Sequence, residues 1–350
     1  MKTFCSICGF LASSLLVGQV TAHASPAGLA ACAAITDAGQ RLACYDQLAA
    51  AQQAPAAAST ATVAPEAVAP APALPAPAVP SGGQSPSRLS YLDRHWELSD
   101  SAKRGSLQFR PHETNYLIAN YSTSPNNGPY APFRSLAGGG NLSHFELSYQ
   151  LGFKMKLLEQ VAGSTTDLWV AYTQKSFWQA SNEGASSPFR ETNYTPEVMA
   201  VTPLDFHLLG FHGRFVNLGL VHQSNGQGSL LSRSWNRAYV QLGLERGDLS
   251  ILARAWQRLG ESAATDDNPD ITRYLGHGDL RLMWRRNGHE VGLLTRYNPG
   301  TGRGAAQLSW GFPIAGKLLG YVQLFSGYGL SLIDYNHRQQ TLGLGFQVNY

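Results

Sequence analysis

The sequence predicts an all-β protein, a twelve-stranded antiparallel transmembrane β-barrel, and three observations predict it. From roughly Ser106 onward, apolar and polar residues alternate in short runs, the period of a strand with one oily and one wet face. These runs have about the length needed to cross a bilayer at a tilt, and Tyr, Trp and Phe gather near their ends. An export signal stands at the start, and no later stretch is long and apolar enough for a membrane helix. Composition fits: charged residues make up 14% and the formal net charge is +3, which leaves no nucleic-acid footprint.

Lys2, an apolar run from Phe10 to Val20 and the small-residue exit Ala22-His23-Ala24 predict a signal peptide over 1–24, cleaved before Ser25. Leu29-Ala30-Ala31 before Cys32 could be read as a lipid-attachment box, but Pro26 and Gly28 separate it from the apolar run. Cys5 and Cys8 leave with the signal. Cys32 and Cys44 remain in an oxidising compartment, where a disulfide is the expected outcome. Residues 25–50 then form a small helical hairpin stapled by Cys32 and Cys44, with Asp37 and Gly39 able to turn in its middle. Two cysteines without a matching His or Cys cluster imply no metal site. Residues 51–88 are mostly Ala, Pro, Val, Ser and Gly and predict an extended linker, which places the barrel domain at 89–350.

Within the barrel, Phe145, Leu147, Tyr149, Leu151 and Phe153 alternate with polar or small residues, as do Leu342, Leu344, Phe346, Val348 and Tyr350. Similar runs fall near 106–121, 167–180, 191–203, 211–224, 235–246, 249–260, 272–285, 289–298, 303–312 and 317–328, for a count of twelve. An even count puts both barrel ends on one side, which suits a periplasmic N-terminal extension.

The segment 216–240 carries the candidate chemistry. Period two places Val216, Leu218, Leu220, His222 and Ser224 on one face, and Asn236, Ala238, Val240, Leu242 and Leu244 on one face of the returning run. If these runs pair as a hairpin, Ser224, His222 and Asn236 meet as nucleophile, general base and orienting group for acyl transfer. In a barrel that face looks at lipid, where a polar trio is costly unless it acts on something the membrane supplies. Asn in place of Asp fixes the imidazole without adding charge, so oxyanion stabilisation must carry more of the barrier.

The words HQSNG, SRSWNR, YTQKSFWQASN and SSPFRETNY resemble the outer membrane phospholipase A family. So do WELS near Trp96, HETNYLI near Tyr116, DDNPDITRY near Asp267 and SGYGLSLIDYN near Asp334. The resemblance runs from about Tyr91 to Tyr350. It implies the same three roles for Ser224, His222 and Asn236, an oxyanion amide at Gly226, and a calcium ion as electrophile. The calcium ligands it implies are the Ser232 side chain, the Gln227 carbonyl and Ser186 from the partner subunit of a homodimer. It also places Gln174 in the dimer interface and links Asp267 to a second calcium site, whose companion acidic position is here Ser229. Asp266, Asp267 and Asp270 also read as a turn capping the next strand.

The resemblance therefore implies a calcium-dependent phospholipase of the Gram-negative outer membrane, acting on phospholipids and lysophospholipids and active as a homodimer. A passive porin-like barrel is the alternative, and it requires a wide polar lumen and no loss on Ser224→Ala. A third reading makes residues 25–88 a periplasmic binding module with lipolysis secondary.

Overall fold

The structure, a computed structural model, describes residues 89–133, 141–182 and 189–348 together with positions 32, 34–37, 39–41, 43, 44 and 47. The expected signal (1–24), the linker (51–88), Ser186 and Tyr350 lie outside the described residues. The chain divides into two units, 1–81 and 82–350.

In the first unit Cys32 and Cys44 are joined by a disulfide with a Cα–Cα distance of 5.6 Å, linking two helical stretches. Residues 34–37 turn between them, with the Asp37 carboxylate accepting from the Gln40 amide at 2.9 Å, while Gly39, expected in the turn, is already helical.

The second unit is a barrel whose strands follow one another around the ring in sequence order. They are β1 (Phe109–Pro111), β2 (Asn115–Ser122), β3 (Phe145–Leu158), β4 (Asp167–Trp178) and β5 (Glu191–Leu208). Next come β6 (Phe211–Ser224), β7 (Ser234–Arg246), β8 (Leu249–Leu259) and β9 (Gly278–Arg286). The ring is completed by β10 (His289–Asn298), β11 (Arg303–Ala315), β12 (Leu318–Tyr328) and β13 (Arg338–Val348). Every pairing is antiparallel, and β13 closes onto β2 with Thr341 opposite Ser122 and Val348 opposite Asn115. The short β1 and β2 are two pieces of a single first strand, since both pair with β3; the expected run 106–121 is interrupted between them. Pro111 faces Phe153 and Tyr116 faces Gln150, so the intervening residues bulge and Glu113 reaches Arg281 at 2.6 Å. Counted this way the ring has the twelve strands expected.

The run expected as a strand over 272–285 instead divides. Ile271–Leu275 is a short helix, α2 following α1 (Tyr91–Trp96), and β9 starts only at Gly278. Accordingly the DDNPD turn leads into a helix rather than a strand. Gly276, at a φ of 69°, ends that helix in a conformation open to glycine.

Two surfaces explain the alternation. Outward residues such as Leu117, Leu151, Leu218, Leu220, Leu344 and Phe346 are all at least half exposed. So wide an apolar belt is tolerable only in lipid. Among the described residues no helix is long and apolar enough to cross a membrane.

The inward residues are polar and aromatic, and they fill the interior. Helix α1 packs inside, with Trp96 against Trp169 and Phe215 at ring distances of 6.1 and 5.2 Å. The Leu92 amide donates to Glu245 at 2.6 Å and Arg214 pairs with Asp93 at 3.2 Å. Behind the helix Glu97 is solvent-inaccessible and accepts from Arg110 at 2.6 Å and Lys156 at 3.1 Å. One space along the inner wall, of about 250 Å³, is lined by Lys175, Arg237, Arg254 and Arg281 among others, and another of about 580 Å³ opens beside helix α1 among Tyr91, His95, Arg110 and Arg285. Trp96, Trp169, Phe215, Trp235 and Trp256 pack into one buried cluster inside the ring, so large side chains occupy interior space that a wide polar lumen would need.

Candidate active site

The register of β6 against β7 decides which polar residues meet. His222 lies directly opposite Asn236 and Ser224 opposite Ser234. Their Cβ atoms point outward because Val221 and Trp235, one residue removed, are buried inside. His222 is exposed and Nδ1 lies 2.8 Å from Asn236 Oδ1. Among the described residues Ser224 Oγ makes no hydrogen bond to the ring, a looseness common where catalytic contacts tighten only around substrate. Beneath the pair, on the inward face, Gln223 accepts from Trp235 Nε1 at 2.9 Å and Arg237 at 3.2 Å, which ties the two strands below the site.

The loop between the strands is built around Asn225, a residue that sequence reasoning did not single out. It is buried, its Oδ1 accepts from the Arg233 and Gln227 amides at 2.9 and 3.3 Å, and its Nδ2 donates to the Leu231 carbonyl at 2.8 Å. Nδ2 also reaches the buried carboxylate of Glu191, which accepts from Gln227 Nε2 and from the Ile333 amide. A single asparagine thus closes the loop on itself and Glu191 anchors it to the neighbouring loop. Gly226 sits next to it at a φ of 64°, and a Cβ there would come within 3.0 Å of the Tyr194 ring. Its amide has no acceptor among the described residues and stands two residues from Ser224.

At the far end of this loop Ser232 Oγ donates to Asp267 Oδ2 at 2.5 Å. Asp266 is held separately by Arg258 at 2.6 Å, and Asn268 accepts from the Ser234 amide at 2.9 Å. The structure therefore joins Ser232 and Asp267, which the resemblance assigns to two different calcium sites. Ser229 is exposed on the same loop, and Gln227 turns its side chain inward while its carbonyl remains without a hydrogen bond among the described residues.

Gln174 lies two strands from Ser224 on the same outward belt. It pairs across strands with Leu151 and Tyr194, and Tyr194 pairs with Ser224, so one row runs from Leu151 through Gln174 and Tyr194 to Ser224. Gln174 Oε1 accepts from Tyr172 at 3.0 Å and its Nε2 donates to Tyr149 and Ser176 at 3.1 and 3.2 Å. A hydrogen-bonded polar patch therefore stands on the lipid face beside the site.

A second residue that the sequence did not mark is Glu261. Leu259 faces Asn236 at the end of β8, and Glu261, two residues further on, accepts from Asn236 Nδ2 at 3.0 Å. At the opposite rim Asp205, His207 and His212 also cluster. Both nitrogens of His212 are engaged there, one with Asp205 at 2.7 Å and one accepting from Arg214 at 3.3 Å.

A sequence profile of the phospholipase A1 family matches residues 92–348. A putative phospholipase A1 of Neisseria meningitidis is 40% identical over 343 residues, covering 91% of this chain and 90% of its own length. Phospholipase A1 of Escherichia coli is 38% identical over 239 residues, covering 68% of this chain and 81% of its own. Among solved structures, the Salmonella typhi outer membrane phospholipase dimer with bound calcium matches with a TM-score of 0.65 and 35% identity. That match covers 71% of this chain and 94% of the other. The Escherichia coli outer membrane phospholipase A matches with the same TM-score, 36% identity and the same coverage, and has also been solved as an active-site mutant with asparagine replaced by alanine.

Proposed function

Because the chain belongs to the phospholipase A1 family, we propose that it hydrolyses acyl esters of phospholipids and lysophospholipids in the outer membrane through Ser224, His222 and Asn236. The observation that carries this reading is the His222–Asn236 contact of 2.8 Å, set in the same outward row as Ser224 among lipid-facing leucines. A soluble substrate would rarely reach that row, whereas a phospholipid lies against it.

In the reaction Ser224 Oγ attacks the ester carbonyl while His222 Nε2 takes its proton. Asn236 Oδ1 accepts from Nδ1–H and so holds the tautomer whose Nε2 lone pair faces the serine. The oxyanion forms against the Gly226 amide. His222 then donates its proton to the leaving glycerol oxygen, and the acyl-enzyme is released by water that His222 deprotonates in turn.

The donor set suits calcium. The Gln227 carbonyl, Ser232 Oγ and the carboxylate of Asp267 beside it are all hard oxygen donors, and the short Ser232–Asp267 contact brings a carboxylate to the hydroxyl. Gln227 and Ser232, with Ser186 of the partner subunit in a homodimer, would hold the ion. When bound it would supply positive charge that stabilises the oxyanion. The patch around Gln174 supports the dimer, because a glutamine in lipid gains from a partner across an interface, and its row leads directly to Ser224. The N-terminal extension lies in the periplasm in this reading.

The experiment is fatty-acid release from detergent-dispersed phospholipid by the purified protein with calcium or a chelator, together with crosslinking to report the dimer. Release with calcium alone, and a Ser232→Ala variant needing at least about ten-fold more calcium for half-maximal rate, are the expected results. Equal release in chelator would contradict the calcium assignment.

A further inference from the structure

The hydrogen-bond chain does not stop at Asn236. We infer that Glu261 is a positioning residue for the same site, and that its carboxylate is the reason this site works with an asparagine. The inference rests on the Ser224–His222–Asn236 reading and extends it by one residue.

An amide has two different ends, a carbonyl that accepts and an NH2 that donates. Left to itself, the side chain of Asn236 could turn either end toward His222. With the NH2 toward the ring, Nδ1 would have to accept, the proton would sit on Nε2, and His222 could not act as a base toward Ser224. A carboxylate only accepts. Glu261 at 3.0 Å therefore claims Nδ2 and leaves Oδ1 to face Nδ1 at 2.8 Å. The tautomer that catalysis needs is thus set from outside the trio. The same carboxylate places a negative charge one amide away from the ring, which compensates in part for the charge that Asn lacks relative to Asp.

The placement follows from register. Asn236 pairs with Leu259, and an outward position recurs two residues later at Glu261. The charged groups on the strands flanking His222 are directed elsewhere. Glu197 of β5 is buried and bound to Tyr239 and His112, Arg237 of β7 turns inward to Gln223, and Arg258 of β8 holds Asp266. Tyr194, opposite Ser224, is the remaining titratable side chain on the adjoining outward row.

This arrangement makes a prediction that a merely structural glutamate would not. An aspartate at position 236 ought to be the better orienting group in a hydrolase, yet here it would face Glu261 carboxylate to carboxylate. Asn236→Asp is therefore expected to be slow, and Glu261→Gln, which restores a donor opposite the new carboxylate, is expected to raise the rate of that variant at least about five-fold. In the wild-type background the same Glu261→Gln change keeps an acceptor but removes the charge. It is expected to move the acidic limb of the kcat/KM profile to lower pH, while Glu261→Ala lowers kcat about ten-fold or more with KM little changed.

The experiment is fatty-acid release against pH by the full-length protein in detergent with calcium, for these variants, Ser224→Ala and Asn236→Ala, with thermal melting to verify each barrel. Rescue of Asn236→Asp by Glu261→Gln supports the inference, and it survives a Glu261→Ala variant that fails to fold. Glu261→Ala at the wild-type rate and an Asn236→Asp variant indifferent to Glu261→Gln, with Ser224→Ala and Asn236→Ala inactive, would overturn it and leave the trio standing. Full activity of Ser224→Ala would remove the trio and this inference together.

Discussion

Gly226 is where backbone freedom and the proposed chemistry coincide. Its φ of 64° and the 3.0 Å approach of the Tyr194 ring leave no comfortable place for a methyl group. Gly226→Ala is expected to cost about 1 kcal/mol of stability from the left-handed backbone. The displaced amide should lower kcat by roughly ten- to a hundred-fold with little change in KM, measured as lipid hydrolysis alongside melting. Strand period puts Ser224 and His222 on one face and the hairpin brings back Asn236, but it was the resemblance carried by HQSNG and SRSWNR that singled them out as the residues proposed for catalysis. Glu261 was not legible in the sequence, since its distance from Asn236 depends on the register of β8, which no short-range pattern reveals. Asn225 was hidden for another reason: an asparagine in a glycine-rich loop looks like any turn residue until its four hydrogen bonds are counted.

At the scale of elements, alternation read the strands well because lipid and lumen impose opposite polarity on successive residues. It failed at Ile271–Leu275, where a five-residue helix is too short to display its own period. Asp270 ahead of it and Gly276 behind were the available signals. The helix α1 that enters the lumen was also unread, since its anchors are distant in sequence. Glu97 secures its end. Burial alone would raise the carboxyl, but hydrogen bonds from Arg110, Lys156 and the Arg104 amide outweigh it and hold Glu97 below the usual carboxylate range. A depressed folded-state value means that the contribution is present above the unfolded carboxylate pKa of about 4.3 and is lost as pH falls through the folded value. Glu97→Gln is accordingly expected to lower the melting temperature most near neutral pH and progressively less below about pH 4. A melting curve series from pH 7 to 3 checks this; an equal loss at every pH would contradict the assigned charge pairing.

In the molecule as a whole the ring is closed, large side chains pack its interior, and two polar groups, the trio and the group around Gln174, stand on its largely apolar outer belt. Both patches lie on a lipid-facing surface, so an enzyme among its own substrates needs an off state, and a calcium ligand given in trans would provide one. The proposed reaction assigns no role to residues 25–88. Removing residues 25–88 while keeping the signal is expected to leave hydrolysis within about two-fold of wild type, assayed on membranes containing equal amounts of folded barrel; loss of activity would favour the periplasmic-module reading. The central claim is that Ser224 is the nucleophile of a lipid-facing phospholipase. It is tested most directly by fatty-acid release from phospholipid in calcium by wild type and Ser224→Ala, each verified as a folded barrel. Calcium-dependent release by wild type and a loss of at least about a thousand-fold in the variant are expected; equal release by both, or none by a folded wild-type dimer, would contradict the assignment of Ser224.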